Sequence, residues 1–429
     1  GLPGVPSLDS KRTFFNRSFL VSTNNLWKIG RGEFKANIDY SVNRVTADAA
    51  NITTYFLDEG NRIITENREG TEHTHSLNGK FIYEQNQKTA FINNTLQTNI
   101  DWNDIRLRTT GSMPNTQTAD LPDYYISNRF KIIQRFKGKH LVTFESSNEW
   151  ESLPQTLNLD INGNSCRQHI GDHAFYTHES AAYAFSLKGI TISLEGGING
   201  YWRSMNSELP ELPEQLSGMT ENVVHTNSFT VYATPKLEYW IKRVNLTLNL
   251  PVSFAHYSFD KAIANHDEVY FSPSLGFNWK PNNRFSGNIR GGIGRSPMNL
   301  NLIHPELIMM DYRTLKSGVN NFYNSTSQNV LASFQYKCTR YGLFANGMVL
   351  HTWSHLPYTL SQQLYGDYAV YSYSDADNDS KSLIVLGSIG KTLDFMRGSC
   401  NINGSYNRNE SRLFSQQEAV QSVSDGWSA

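Results

Sequence analysis

From Phe229 to Ile241 every second residue is apolar or small: Phe229, Val231, Ala233, Pro235, Leu237, Tyr239 and Ile241. Thr230, Tyr232, Thr234, Lys236 and Glu238 stand between them. After a basic turn at Lys242-Arg243 the alternation resumes with Leu246, Leu248, Leu250, Val252 and Phe254. It returns once more as Phe271, Pro273, Leu275, Phe277 and Trp279, opposite Ser272, Ser274, Gly276, Asn278 and Lys280. A period of two puts one set on each face of a strand. One face here needs an apolar surrounding and the other is wet. Long strands of this kind, joined alternately by tight turns and long loops, predict an all-β, antiparallel transmembrane β-barrel. Pro235, Pro251 and Pro273 fit poorly, because proline offers no N–H to a ladder. They predict either bulges or strand limits that stop short of them.

The same pattern runs along the chain. Phe34, Ala36, Ile38, Tyr40 and Val42 alternate with Lys35, Asn37, Asp39, Ser41 and Asn43. Ile190, Ile192, Leu194, Gly196, Ile198, Gly200 and Trp202 do so with the fewest exceptions. Short turns are expected at 30–32, 86–88, 137–139, 188–189, 242–243, 281–283, 339–340 and 396–397. Long polar loops are expected at 47–74, 111–122, 154–170, 204–221, 296–325 and 356–379, with weak helical spacing at 304–310. Residues 1–16 read as loop and the stretch after 407 as a polar tail. The total is about sixteen strands in about eight hairpins. Short turns belong on the periplasmic side and long loops outside. Trp102, Trp150, Trp202, Trp240, Trp279 and Trp353 fall near strand ends, where interfacial aromatics sit; aromatic packing in a soluble β-protein is the alternative. This count puts both ends of the chain on the long-loop side, which is expected of a piece of a larger barrel. Residues 1–429 are then one barrel domain.

Composition narrows the class. The 429 residues are 38% hydrophobic and 12% aromatic, with mean hydropathy −0.48. No apolar run reaches the length of a membrane helix. A formal charge of −1 gives no electrostatic case for nucleic acid. Cys166, Cys338 and Cys400 are odd in number and far apart, so neither a disulfide framework nor a metal spacing is expected. The start at Gly1 shows no leader pattern, which is expected of a processed or incomplete N-terminus.

Several strings resemble TonB-dependent outer-membrane receptors of the Bacteroidota, in the group with an N-terminal carboxypeptidase-like regulatory domain. They are Asn37-Ile38-Asp39-Tyr40, Thr53-Thr54-Tyr55, Ser152-Leu153-Pro154-Gln155 and Ala233-Thr234-Pro235-Lys236-Leu237. Leu248-Asn249-Leu250-Pro251, Ser272-Pro273-Ser274-Leu275 and Asp311-Tyr312-Arg313-Thr314-Leu315 through Gly318 belong with them. The resemblance implies a barrel of about 22 strands, a plug, and energy from TonB–ExbB–ExbD. It also implies an outer-membrane lipid surrounding and a possible surface lipoprotein partner. The TonB box, plug and last strands do not appear in this sequence.

Candidate chemistry is sparse. Cys166, His169, Asp172, His173 and His178 are the densest metal-capable group, and His73 and His75 share a strand face. A solvated loop outweighs a metal site for both. Asp375, Asp377 and Asp379 begin a calcium-loop pattern. It fails at Ser380, where the glycine belongs, and at Leu386, where the glutamate belongs. Gly287, Gly291, Gly292 and Gly294 lack the lysine and helix of a phosphate loop. No nucleophile elbow appears, so no catalytic residue, cofactor or metal is assigned and an enzyme is not expected. Lys35, Asp39, Glu195, Arg203, Lys236, Glu238 and Arg290 are expected in the lumen, in contact with a plug or solute or, for any single one, more simply hydrating the interior. Tyr358, Tyr365, Tyr368, Tyr371 and Tyr373 suit glycan or peptide capture, or simply an aromatic girdle. The leading expectation is a receptor for TonB-dependent uptake, its solute and ligand residues unassigned. A passive porin-like channel, an assembly barrel and a soluble β-sandwich array are the alternatives.

Overall fold

The computed structural model describes residues 14–55, 60–161, 163–209, 220–260, 263–366, 368–393, 398–415 and 418–428. Its strands, in order, are β1 (Phe14–Ile29), β2 (Gly32–Tyr55), β3 (Arg62–Asn86), β4 (Ala90–Gly111), β5 (Asn115–Asp120) and β6 (Asp123–Phe136). There follow β7 (His140–Ser152), β8 (Gln155–Ile161), β9 (Asn164–Leu187), β10 (Ile190–Glu208), β11 (Glu221–Ile241), β12 (Val244–Asn249) and β13 (Val252–Phe259). Next come β14 (His266–Phe271), β15 (Ser274–Trp279), β16 (Phe285–Pro297), β17 (Ile308–Asp311), β18 (Thr314–Lys316) and β19 (Asn324–Cys338). The last are β20 (Leu343–Leu356), β21 (Thr359–Tyr365), β22 (Tyr368–Ser374), β23 (Asn378–Leu393), β24 (Gly398–Ser415) and β25 (Glu418–Ser428). All belong to one sheet, in which wall neighbours pair antiparallel in chain order. Among the described residues no pairing joins β1 to β25.

Alternation decides which way each side chain points. Along β10, Ile192, Leu194, Ile198 and Trp202 are all solvent-exposed, on the face opposite Ser193, Glu195, Asn199 and Arg203. The same outward face carries Leu237 and Tyr239 of β11, Phe254 of β13, Phe277 of β15 and Ile289 of β16, again exposed. An apolar surface this continuous suits hydrocarbon, not water. The other face lines a lumen. At the short turns, Lys188 and Gly189 have φ of 45° and 87°. Two successive left-handed residues make the turn whose twist matches a two-residue hairpin.

The prolines produce no bulges: Pro235 lies inside β11, while at Pro251 and Pro273 the strands stop short, as one of the two expectations has it. Leu250-Pro251 separates β12 from β13, yet Lys236↔Asn249 on one side and Ala233↔Val252 on the other keep one register. The same holds at Leu121-Pro122, Leu153-Pro154 and Ser272-Pro273. Each proline carbonyl still accepts: Leu250 N donates to Pro235 O at 3.0 Å, Ser272 N to Pro251 O at 3.2 Å and Ile293 N to Pro273 O at 3.1 Å. Only the return bond is missing, which is worth about 1 kcal/mol and does not shift the ladder.

Of the 25 strands, β17, β18, β21 and β22 lie in loops, and four wall strands are each split in two at a proline, so 17 strands form the wall. The expected tail after 407 is strand, the end of β24 and β25. The last wall strand therefore runs toward the short turns, so residue 428 does not lie on the long-loop side as expected. Much of the expected loop at 47–74, 111–122 and 154–170 is also strand. β2 and β3 pair from Glu33↔Glu84 to Tyr55↔Arg62, far longer than the roughly 9–11 residues that cross a bilayer. In these extensions the apolar residues that are buried, among them Ala47, Ala49, Ile64 and Leu159, face inward, while the outward face is largely polar, so the lipid-facing alternation does not continue along them. The turn expected at 396–397 and part of the loop at 204–221 fall outside the described residues.

Candidate functional site

The stretch between β16 and β19 does not stay at the rim. It folds inward and touches lumen-facing residues of β3, β5, β9 and β11, which is possible only if the wall curves around it. Its apolar residues make the contact. Ile303, Val319 and Phe322 pack with Val224, Ala255, Tyr257 and Tyr270 of the wall. Leu307, Met309, Tyr312 and Leu315 pack with Leu159, Leu209 and Val370. Each fully buried side chain of this size contributes about 1.5–3 kcal/mol. One 3₁₀ turn, Leu300–Leu302, is present; of the stretch 304–310, where helical spacing is expected, residues 308–310 are strand. Gly318 lets the chain pass itself, since a Cβ there would lie 1.8 Å from Leu302 O.

Backbone groups of a buried irregular segment need partners. Wall amides supply them. Asn222 Nδ2 donates to Glu306 O at 3.3 Å and Asn222 Oδ1 accepts from Glu306 N at 2.9 Å. Gln168 grips Met309 in the same two-point way, at 2.9 and 2.7 Å. Gln117 Oε1 accepts from Tyr312 N at 3.2 Å. Each amide copies one rung of a strand. On the far side, β18 pairs parallel with β22 through Thr314↔Ala369 to Lys316↔Tyr371.

Tyr312 is the anchor, 1% exposed. Its hydroxyl donates to Glu66, itself 1% exposed, which also accepts from Arg68 at 2.8 Å. Arg68 and Arg313 each lie 5.7 Å from the Tyr312 ring centroid. Burial, and then the Glu66 carboxylate, push the phenol above its ordinary value, so it remains a donor.

His304 is the second buried polar anchor. Its Nδ1 accepts from Gly318 N at 3.0 Å. Burial lowers its pKa to about 4. A ring that is neutral when seated and takes a proton at about 6.5 when released stabilises the seat fully above pH 6.5. That contribution is lost as pH falls from 6.5 through about 4. Hydrogen exchange at the Gly318 and Val319 amides should therefore speed up on acidification, after correction for intrinsic rates. The full effect is about 3 kcal/mol. His304→Asn, which keeps an acceptor but does not titrate, should remove most of this pH dependence.

Beneath the segment is a pocket of about 530 Å³. Asn301, His304 and Asp311 come from its roof, and Gln155, Gln168, Asp172 and Arg203 from its wall. Arg203 binds Asp172 through two bonds, at 2.8 and 2.7 Å, and is 6% exposed. Ile105, Leu107 and Met205 give the pocket an apolar side. Such a lining can hold a solute of mixed polarity by hydrogen bonds and one charged pair.

The residues singled out by sequence are dispersed. Along β9, Cys166, Asp172 and His178 point into the lumen, while His169 and His173 point outward. His169 and His173 meet Thr156 and Ser152, and His178 meets Asn199 and stacks on Tyr232. His73 and His75 share the outward face, as expected. His355 lies between Asp377 and Asp379, at 3.7 and 2.8 Å, and Asp375 accepts from Tyr323. Among the described residues no group of His, Cys, Asp and Glu is arranged to hold a metal ion. Gly287 and Gly291 face outward, and Gly292 and Gly294 inward. Lys35, Asp39, Glu195, Arg203, Lys236, Glu238 and Arg290 all sit on the lumen face. Of these only Arg203 lines the pocket. Tyr358 packs on Tyr323 and Tyr373, and Lys316 lies over the Tyr373 ring. Tyr368 packs on the cluster around Tyr312, Tyr371 O accepts from Ser317 N, and Tyr365 is exposed. The tyrosine-rich loop thus seats the inward segment. Gln117, Gln168, Asn222 and Glu66 were not read from sequence; lone polar residues at strand ends carry no local signal.

No family model matches the sequence, and no curated protein does. Solved structures do. The outer-membrane transporter YddB from Escherichia coli matches with TM-score 0.54 and 10% identity, over 93% of this chain and 55% of that one. The ferric citrate transporter FecA matches with TM-score 0.51 and 8% identity, over 95% and 60%. The copper transporter OprC matches with TM-score 0.50 and 9% identity, over 94% and 67%. The chain spans between about half and two thirds of each neighbour's length. The fold is that of outer-membrane β-barrels.

Proposed function

We propose that this chain forms the outer-membrane wall of a receptor for TonB-dependent uptake, and that solute is held in the lumen by the pocket under the inward segment. One observation carries the reading. A long segment is seated across the lumen by three wall amides and a buried carboxylate, over a pocket with mixed polar and apolar walls. Full closure of the wall, a plug, and coupling to TonB–ExbB–ExbD belong to this proposal and rest on the fold likeness and the sequence resemblance. So do a Bacteroidota origin and a surface lipoprotein partner. The neighbours carry ferric citrate and copper by name; the present pocket favours a small solute with both hydrogen-bonding and apolar parts. The test is conductance of the protein, purified from its membrane, in planar bilayers, together with capture on the TonB periplasmic domain. A receptor should be closed at rest and be captured. Steady open-pore conductance without capture would overturn the reading in favour of a passive channel.

A further inference from the structure

We propose that the outward face of β6, β7 and β9 is a contact surface, within the membrane, for a second copy of this chain. From β11 to β16 the outward positions of the apolar band, every second residue within 229–239, 246–254, 271–279 and 285–293, carry neither a carboxylate nor an amide. On β6, β7 and β9 they do. Outward positions there include Asn128, Ser146, Asn148, Thr177 and Glu179. The registers set these side by side, as Asn128↔Asn148, Asn148↔Thr177 and Ser146↔Glu179.

The patch lies inside the apolar band. Trp150, Phe175 and Trp202 form the outward row on its long-strand side, and Phe144 and Tyr183 lie on the other; all five are exposed. Asn128 stands eight residues before Phe136, the end of β6, and Asn148 eight residues after His140, the start of β7. On tilted strands that is roughly 20 Å above the short turn. Polar side chains facing hydrocarbon are costly, and the patch meets that cost only in part. Ser146 Oγ donates to Glu179 Oε1 at 2.7 Å, Thr177 Oγ1 to Asn148 Oδ1 at 2.7 Å and Asn128 Nδ2 to Asn94 Oδ1 at 3.1 Å. Among the described residues no bond uses Glu179 Oε2, no cation pairs with Glu179, and Asn128 keeps one N–H unused.

A second copy can meet what is left. Spare donor and spare acceptor lie in one patch, so the patch is complementary to itself. About a two-fold axis, Asn128 of each copy can donate to Glu179 of the other. Lipid tails offer neither group, and head groups lie beyond the aromatic row. The wall beside the patch also allows close approach. Ala181, Gly196 and Ala233 occupy one outward row across β9, β10 and β11, next to the row of Glu179. Small residues flanking Ser, Thr and Asn are what protein contacts in a bilayer use.

The inference goes beyond solute uptake and rests only on the membrane wall. Donor-labelled and acceptor-labelled copies are reconstituted together in phosphatidylcholine vesicles at falling protein-to-lipid ratios. Energy transfer reports association, and urea midpoints report the stability of each copy. The wild type should associate well above random encounter. Glu179→Leu with Asn128→Leu should weaken association about tenfold or more without lowering the midpoint, because leucine suits lipid. Ala181→Trp should weaken association while leaving every polar group in place, and Val349→Trp, outward on β20, should behave as wild type. Transfer in the wild type no greater than random encounter gives would overturn the proposal. So would a double variant that loses stability but associates normally, since the patch would then only knit β6, β7 and β9 together. Failure of the wild type to insert into the vesicles would overturn the barrel reading and this inference with it.

Discussion

Replacing Leu248 by arginine should destabilise the folded wall by about 2–4 kcal/mol, the penalty for a cation on the lipid face near the midplane. Leu248 pairs with Leu237 on one side and Leu275 on the other, so three leucines meet in one outward row. An arginine there has apolar neighbours on both strands and no carboxylate to meet. Thr247, one residue earlier, points into the lumen, where its hydroxyl donates to Asn245 at 3.1 Å. Thr247→Arg places the same charge in a wet space beside Gly276, and should shift stability by less than about 1 kcal/mol. Urea unfolding midpoints in lipid vesicles compare the two directly. Equal midpoints would mean that both faces meet the same surroundings, which no single-walled membrane barrel allows.

Replacing Glu66 by alanine should release the inward segment while the wall stays folded. Glu66 is buried and takes bonds from both Arg68 and Tyr312. Its removal leaves a guanidinium with 18% side-chain exposure and a buried phenol without their shared acceptor. Breaking a buried ion pair from one side costs roughly 3–5 kcal/mol. The loss is local, because the segment is held by side chains and by β22, while the wall is held by its own ladders. Trypsin should then cut at Arg313 or Lys316 many times faster than in the wild type, with the unfolding midpoint of the wall little changed. Gln168→Ala, which removes only the two bonds to Met309, should show a smaller effect of about 1–3 kcal/mol. Wild-type resistance to trypsin in Glu66→Ala would show that the wall amides, β22 and apolar packing seat the segment without the Glu66 carboxylate.

Sequence and structure agree where one face of a strand meets lipid and part where both faces mix polar and apolar residues. Ile190 to Trp202 and Leu246 to Phe254 were legible because lipid and water select opposite residue types on alternate positions. Arg44 to Tyr55 and Arg62 to Thr74 were not, because their outward face has left the lipid and their inward face mixes buried apolar residues such as Ala47 and Ile64 with the buried Glu66, so no clean alternation remains. Pro251 and Pro273 do interrupt strands, but they do not shift them. Their missing N–H is a local loss, and registers fixed by many flanking pairs carry on through it. The inward segment was marked only as irregular. Its anchor string, Asp311-Tyr312-Arg313-Thr314-Leu315, was visible as a pattern but not as a contact. The groups that receive it, Glu66, Gln117, Gln168 and Asn222, are spread over more than a hundred residues and converge only once the wall curves. Distance in sequence likewise hid Asn128 and Glu179, which reach one patch only through the β6–β7 and β7–β9 registers.

The most direct measurement is a nitroxide scan from residue 244 to 255, through β12 and β13, in lipid vesicles. Accessibility to dissolved oxygen should peak at positions 246, 248, 252 and 254, and accessibility to a water-soluble nickel complex at 245, 247, 253 and 255. The alternation should continue unbroken across Leu250-Pro251, because the register does. Loss of alternation, or a reversal of phase after Pro251, would contradict a membrane wall built in one continuous register.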